Sequence, residues 1–205
     1  MSDTKERILQ TSLGLFAQDG YEAVSVSRIA AALSMTKGAL YKHYQSKRDI
    51  FDRILERMEA LDAENAGAYA MPGEVWARMP EAYRQTAVVD LLRYSEAQFL
   101  RWTTDAFSVA FRRMLTLEQY RSPEMRALYQ QYLAGGPVDY LTDLFREMMA
   151  QGIWKQAEPA QLATDFYAPL FLLMSLTDGA MTQAAALTLL QTHMERFCSS
   201  WLREA

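Results

Sequence analysis

Apolar residues return every three or four positions along almost the whole chain, and glycine and proline seldom interrupt them. That rhythm predicts α-helices, and no stretch shows the alternation of a strand. Ile8, Leu9, Ser12, Leu15 and Phe16 form the buried stripe of a first helix over 4–19, with Asp3 and Glu6 at capping-box spacing and Gly20 at its end. Ser25 caps a second helix to about residue 33, which turns Val26, Ile29, Ala30 and Leu33 inward. Only Ser34 and Met35 separate it from a third helix, capped by Thr36 and reaching Tyr44. Ser46, with Asp49 three residues on, caps a fourth over 47–65.

The stretch 66–73, with Gly67, Pro72 and Gly73, is the clearest break. Beyond it the pattern predicts helices near 74–79, 80–103, 105–117, 123–133, 137–151, 159–177 and 182–202. Pro80, Pro123, Pro137 and Pro159 suit first-turn positions, where a missing N–H costs nothing. Pro169 falls inside a helical pattern and is expected to kink it. The richest apolar run, 166–176, is well short of the ~20 residues that span a bilayer.

Half of the 205 residues are hydrophobic, enough for a buried core and too many for a disordered chain. The formal net charge is -4, which evenly spread would repel nucleic acid. It is not evenly spread. From Val24 to Arg48 the chain carries Arg28, Lys37, Lys42, Lys47 and Arg48 and no acid, so this segment is +5 and the remainder -9. One anion-binding region, or a merely solvated basic face, fits that asymmetry. Cys198 is the only cysteine, which rules out an intrachain disulfide or a cysteine-based zinc cluster. The charged start, with no apolar run behind it, does not read as a signal peptide, and a soluble cytoplasmic protein with no metal, cofactor or membrane partner is expected.

The chemistry concentrates in 36–47. Thr36 can cap the third helix and offer its hydroxyl to a phosphate, and Lys37 can reach a base edge or a phosphate. Gly38 lets a helix press against a groove at a cost of ~1 kcal/mol in helix propensity. Ala39 suits a thymine methyl, and Tyr41, Lys42, His43 and Lys47 suit the sugar-phosphate backbone. Each has a plainer reading: Tyr41 and Tyr44 as core, His43 as a surface residue, Gly38 as relief of crowding. For Tyr44 the core role is expected.

These features together resemble the DNA-binding domain of the tetracycline-repressor (TetR) family over residues 4 to about 57. Matching residues are Ile8 and Leu9, the run Leu15-Phe16-Ala17-Gln18-Asp19-Gly20-Tyr21, Val24-Ser25-Val26 with Ile29-Ala30, and Thr36 through Tyr44 with Ser46-Lys47. The resemblance implies a helix-turn-helix near 25–44, a dimer on a palindromic operator, and control by a ligand in the C-terminal part. Family members place the counterparts of Ser25, Thr36, Lys37, Gly38, Ala39, Tyr41, His43 and Lys47 at the DNA. Two positions depart from the family: Ser34 stands where the turn usually carries Gly, at a cost of order 1 kcal/mol if the residue is left-handed, and Tyr44 replaces Phe.

The fold expected is all-α: an N-terminal three-helix helix-turn-helix DNA-binding domain over 1–57 and a larger C-terminal helical ligand-binding and dimerisation domain over 58–205. Leu187, Leu190, Met194, Phe197 and Trp201 follow three-four spacing, and Leu162, Phe166, Leu170 and Leu173 give the preceding helix a similar stripe. These nine are the expected four-helix interface of a homodimer, against the alternative of an intrachain core. Phe99, Trp102, Phe107, Phe111, Met114, Tyr129, Tyr132 and Phe166 are candidates for an aromatic pocket taking a small, largely apolar or aromatic effector, or are plain core. Arg112-Arg113 either holds an acidic group or faces solvent.

An enzyme is not expected. No G-x-S-x-G elbow, P-loop, G-x-G-x-x-G or H-E-x-x-H is present, and the only histidines are His43 and His193. A helical carrier without a DNA role is the other alternative, but it has no need of Lys37, Gly38, Tyr41 and Lys47 together. The sequence therefore reads as a ligand-responsive DNA-binding transcriptional regulator, a repressor in the usual family outcome.

Overall fold

Side chains that can accept a backbone N–H three residues on decide where many of these helices begin. The computed structural model describes residues 3–72 and 86–203. Its helices are α1 (Asp3–Asp19), α2 (Val26–Ala32), α3 (Lys37–Tyr41), α4 (Lys47–Ala68), α5 (Val88–Thr104), α6 (Ala106–Glu118), α7 (Pro123–Leu133), α8 (Gly135–Ala150), α9 (Pro159–Leu176) and α10 (Gln183–Trp201). Ser25, Thr36, Asp105, Glu158 and Thr182 accept at the starts of α2, α3, α6, α9 and α10. Among the described residues the only strand-like pairing is one antiparallel bridge between Trp154 and Leu202.

Several boundaries differ from the sequence reading. α3 stops at Tyr41, because the His43 N–H bonds to the Leu40 carbonyl and tightens the turn. α4 runs through Gly67 and ends at Ala68, with Ala70 left-handed at φ 52°. The expected helix over 74–79 lies outside the described residues. That over 80–103 is described only from residue 86; Thr86 and Ala87 are not helical, and α5 starts at Val88. α8 begins two residues before Pro137, where Gly136 comes so close to α7 that a Cβ would overlap the Gln131 carbonyl. α9 continues through Pro169.

The chain divides into two compact units. One takes in Met1–Asp62 and Thr104–Tyr129. Its core holds Ile8, Leu9, Leu13, Phe16, Val24, Ile29, Leu40, Ile50, Phe51, Ile54 and Met58, all without solvent exposure or nearly so. Leu13 takes the buried place expected of Leu15, which is only half-buried. α6 packs on α1. At their meeting Gly20 is left-handed at φ 87°, and a Cβ there would overlap the Glu118 carboxylate. The Asp3 side chain lies outside the described ones; Glu6 pairs with Arg57 at 2.7 Å, and the Arg57 guanidinium lies 5.0 Å from the Phe107 ring centre.

The other unit comprises Ala63–Thr103 and Gln130–Ala205. α9 packs on α8 and α10. Phe166 lies edge-on to Phe145 at 5.6 Å and to Phe197 at 5.0 Å, and Trp154, fully buried, completes the cluster. The nine residues expected at a dimer seam divide by burial. Leu162, Phe166, Leu170, Leu173, Leu190, Met194 and Phe197 are buried by their own chain, and Leu187 and Trp201 are half-buried. Three-four spacing marked the buried face, but the chain's own helices cover it. The outward face carries Ala168, Leu172 and Ser175 on α9 and Ala185, Leu189, Thr192 and Arg196 on α10.

Candidate nucleic-acid interface

The helix-turn-helix is built from two capped short helices and one strained residue. The Ser25 hydroxyl accepts from the Arg28 N–H at 3.2 Å, and the Thr36 hydroxyl from the Ala39 N–H at 3.1 Å. In both, the hydroxyl proton remains available to a phosphate oxygen. Ser34 sits between them at φ 55°, the left-handed turn that Gly would occupy without strain. The Met35 N–H closes the turn on the Ala30 carbonyl at 2.8 Å.

α3 then presents its residues outward. Only Leu40 is buried in it, while Lys37, Gly38 and Tyr41 are exposed, as is Lys42 at its end. Tyr41 is 48% exposed, which excludes the core reading for it. Tyr44 takes that role instead: it is buried, its hydroxyl donates to the Lys5 carbonyl at 3.0 Å, and burial pushes its phenol pKa up, so it stays protonated. Nothing crowds Gly38. A Cβ there would meet only the Thr36 hydroxyl, at 3.9 Å, so steric relief within the chain does not explain a glycine in this helix. Ala39 and His43 are half-buried on either side of Leu40.

The cations divide into two kinds. Lys37 and Lys42 are exposed and pair with no acid among the described residues. The other three face carboxylates: Arg28 meets Asp19 at 2.7 Å, Lys47 lies 3.8 Å from Glu22, and Arg48 meets Asp52 and Glu124 at 2.7 Å each. The segment that reads as +5 in sequence is thus partly neutralised by acids outside it. Glu124's hydrogen bond leads the causes that hold the Arg48 guanidinium more basic than a free arginine, against desolvation and with help from Asp52.

Lys47 is half-buried and tied to the turn after α1. Its ammonium donates to the Tyr21 carbonyl at 2.9 Å and lies 4.2 Å from the Tyr21 ring centre. The next turn is capped by Ser46, which accepts from the Asp49 N–H at 3.0 Å, while the Asp49 carboxylate accepts from Gln45 at 2.8 Å.

The pocket candidates divide between the two units. Phe107, Phe111, Met114 and Tyr129 belong to the first unit, and Phe99, Trp102, Tyr132 and Phe166 to the second. All are buried except the half-buried Tyr129 and Tyr132. Phe166 is core, and Phe107 is capped by Arg57. Arg112 is buried and Arg113 exposed, so the two do not form a solvent-facing pair. Among the described residues no helix is long and apolar enough to cross a membrane.

Sequence reasoning missed Asp19, Glu22 and Glu124 as partners of the basic segment. Asp19 and Glu22 lie just outside its acid-free window and were open to view; nothing local points to Glu124.

Residues 8–54 match the model of the bacterial regulatory proteins of the tetR family. Over 58 residues the chain is 40% identical to the HTH-type transcriptional regulator AcrR of Shigella flexneri, a match covering 28% of this chain and 27% of that relative. The chain thus matches only about a quarter of that relative's length. Solved structures resemble it nearly end to end. The TetR family transcriptional regulator PfmR of Thermus thermophilus aligns with a TM-score of 0.61 at 25% identity, covering 94% of this chain and 97% of the other. SmeT, the repressor of the Stenotrophomonas maltophilia multidrug efflux pump SmeDEF, aligns with a TM-score of 0.62 at 19% identity, covering 100% and 93%. A complex of SmeT with triclosan aligns with a TM-score of 0.66 at 17% identity, covering 98% and 93%.

Proposed function

We propose that this chain is a cytoplasmic DNA-binding transcriptional repressor, not an enzyme, acting as a homodimer on a palindromic operator, because its residues 8–54 match the model of the tetR family of bacterial regulatory proteins. The observation that carries this reading is the outward face of α3. A glycine without steric cause stands beside an exposed lysine and an exposed tyrosine on a helix whose only buried residue is Leu40. A helix that serves only the core has no use for that surface; one that enters a major groove does.

In this reading Lys37 reaches base edges, Ala39 meets a thymine methyl, and Gly38 allows close approach. Ser25, Thr36, Tyr41, Lys42, His43 and Lys47 hold phosphates and fix the register. Two such helices on a twofold dimer meet successive major grooves ~34–36 Å apart. DNA-binding and ligand domains at 1–57 and 58–205 remain the proposed division of labour. An effector that binds better to another spacing of the headpieces lowers operator affinity. The SmeT complex with triclosan supports a small aromatic effector for a fold of this kind, and the aromatic side chains of the second unit, Phe99, Trp102 and Tyr132, are the proposed contacts.

Selection of bound sequences from a random duplex pool tests the reading. The expected result is enrichment of an inverted repeat whose half-sites lie one helical turn or a multiple of it apart. Enrichment of no sequence over the starting pool at moderate ionic strength overturns it.

A further inference from the structure

Arg48 is the second residue of α4, next to Lys47 and two beyond the capping Ser46, yet its guanidinium is turned to two carboxylates. One, Asp52, is a neighbour on the same helix. The other, Glu124, comes from the first turn of α7 and meets the guanidinium at 2.7 Å. Both side chains of the Arg48–Glu124 pair are about half exposed, 51% and 48%, so water and salt reach the bond and it is a weak one. A phosphate offers the same planar fork two oxygens and releases counterions on binding. Glu124 also loses little when the arginine leaves, because the free N–H groups at the start of α7 continue to stabilise its negative charge.

We infer that Glu124 competes with a DNA phosphate for Arg48, so that Arg48 is a phosphate contact held in reserve and Glu124 sets the electrostatic threshold for association with DNA. The inference deepens the DNA-binding reading above and rests on it. Arg48 acts on the backbone and not on base edges, so the device changes affinity for all sequences together. It differs from the Arg28–Asp19 pair, whose two members are neighbours around the α1–α2 turn; Glu124 is supplied by a helix remote in sequence.

The test uses the full chain with a fluorescent random-sequence duplex, its affinity read by anisotropy over a series of salt concentrations. Glu124→Gln should bind roughly two- to fivefold tighter at fixed salt, the loss of one weak ion-pair competitor. Its salt dependence should steepen by up to about one unit. In an Arg48→Ala background the same change should have no effect. Glu124→Asp, with shorter reach, should fall between the wild type and Glu124→Gln, and thermal melts check that each variant is folded. An unchanged affinity in Glu124→Gln overturns the inference while leaving DNA binding intact. A gain that persists without Arg48 also overturns it, since net charge alone would then be the cause. A wild-type chain that binds no duplex at any ionic strength overturns both readings, and is distinguished by the wild-type titration alone.

Discussion

The backbone N–H of Tyr21 donates at 2.9 Å to the carboxylate of Glu118, ninety-seven residues further along the chain. The acceptor side chain is 1% exposed, and it also lies 3.5 Å from Arg121. This bond fastens the turn between α1 and α2 to the end of α6. Replacing Glu118 by Ala leaves a buried N–H without its acceptor, which costs about 1–3 kcal/mol. Urea denaturation followed by circular dichroism measures it. A loss under about 0.5 kcal/mol would mean that the Tyr21 amide finds another partner.

The opposite edge of the same residue, its carbonyl, is held by Lys47. An ammonium has three donors, so this bond leaves capacity for a phosphate. Lys47→Ala should therefore do two things at once. It should lower stability by about 1 kcal/mol through the lost hydrogen bond and ring contact, and reduce the salt slope of DNA binding by about one unit. A stability loss with an unchanged slope would assign Lys47 to the headpiece alone.

What was legible in the sequence was local. Ser25, Thr36 and Ser46 cap helices as read, because the partner of each is the N–H three residues on and needs no tertiary knowledge. The left-handed turn at Ser34 came into view only through the family resemblance, which places a Gly there. The Arg48–Glu124 and Tyr21–Glu118 bonds were illegible, since each depends on which helices pack together. The α9 and α10 stripes lie between these cases. Spacing shows that a face is buried, and is silent on whether the chain or a second copy buries it.

That ambiguity yields a test of assembly. Phe197→Ala removes a ring packed against Phe145, Trp154 and Phe166 and should cost about 3–5 kcal/mol of stability in the unit itself. Leu172 and Leu189 are 56% and 49% exposed, so a charge at either leaves the core untouched. If the outward face is the dimer contact, Leu172→Glu with Leu189→Glu should give a folded monomer by sedimentation, with an unchanged thermal midpoint at high dilution. A double variant that still sediments as a dimer would place the contact elsewhere.

Gly38 separates folding from recognition most sharply, because stability and affinity should move in opposite directions. It is the second residue of α3, and the added methyl of Gly38→Ala meets nothing closer than the Thr36 hydroxyl at 3.9 Å. In the free protein the change should be neutral or stabilising by up to about 1 kcal/mol, the propensity difference between the two residues. On DNA the methyl would stand where the helix backbone comes closest to the groove. Forcing it back would weaken contacts each worth about 1–3 kcal/mol, a loss of roughly fivefold to a hundredfold in affinity. The thermal midpoint and the operator affinity of one variant decide the matter: a higher midpoint with undiminished affinity would mean that Gly38 does not face the groove.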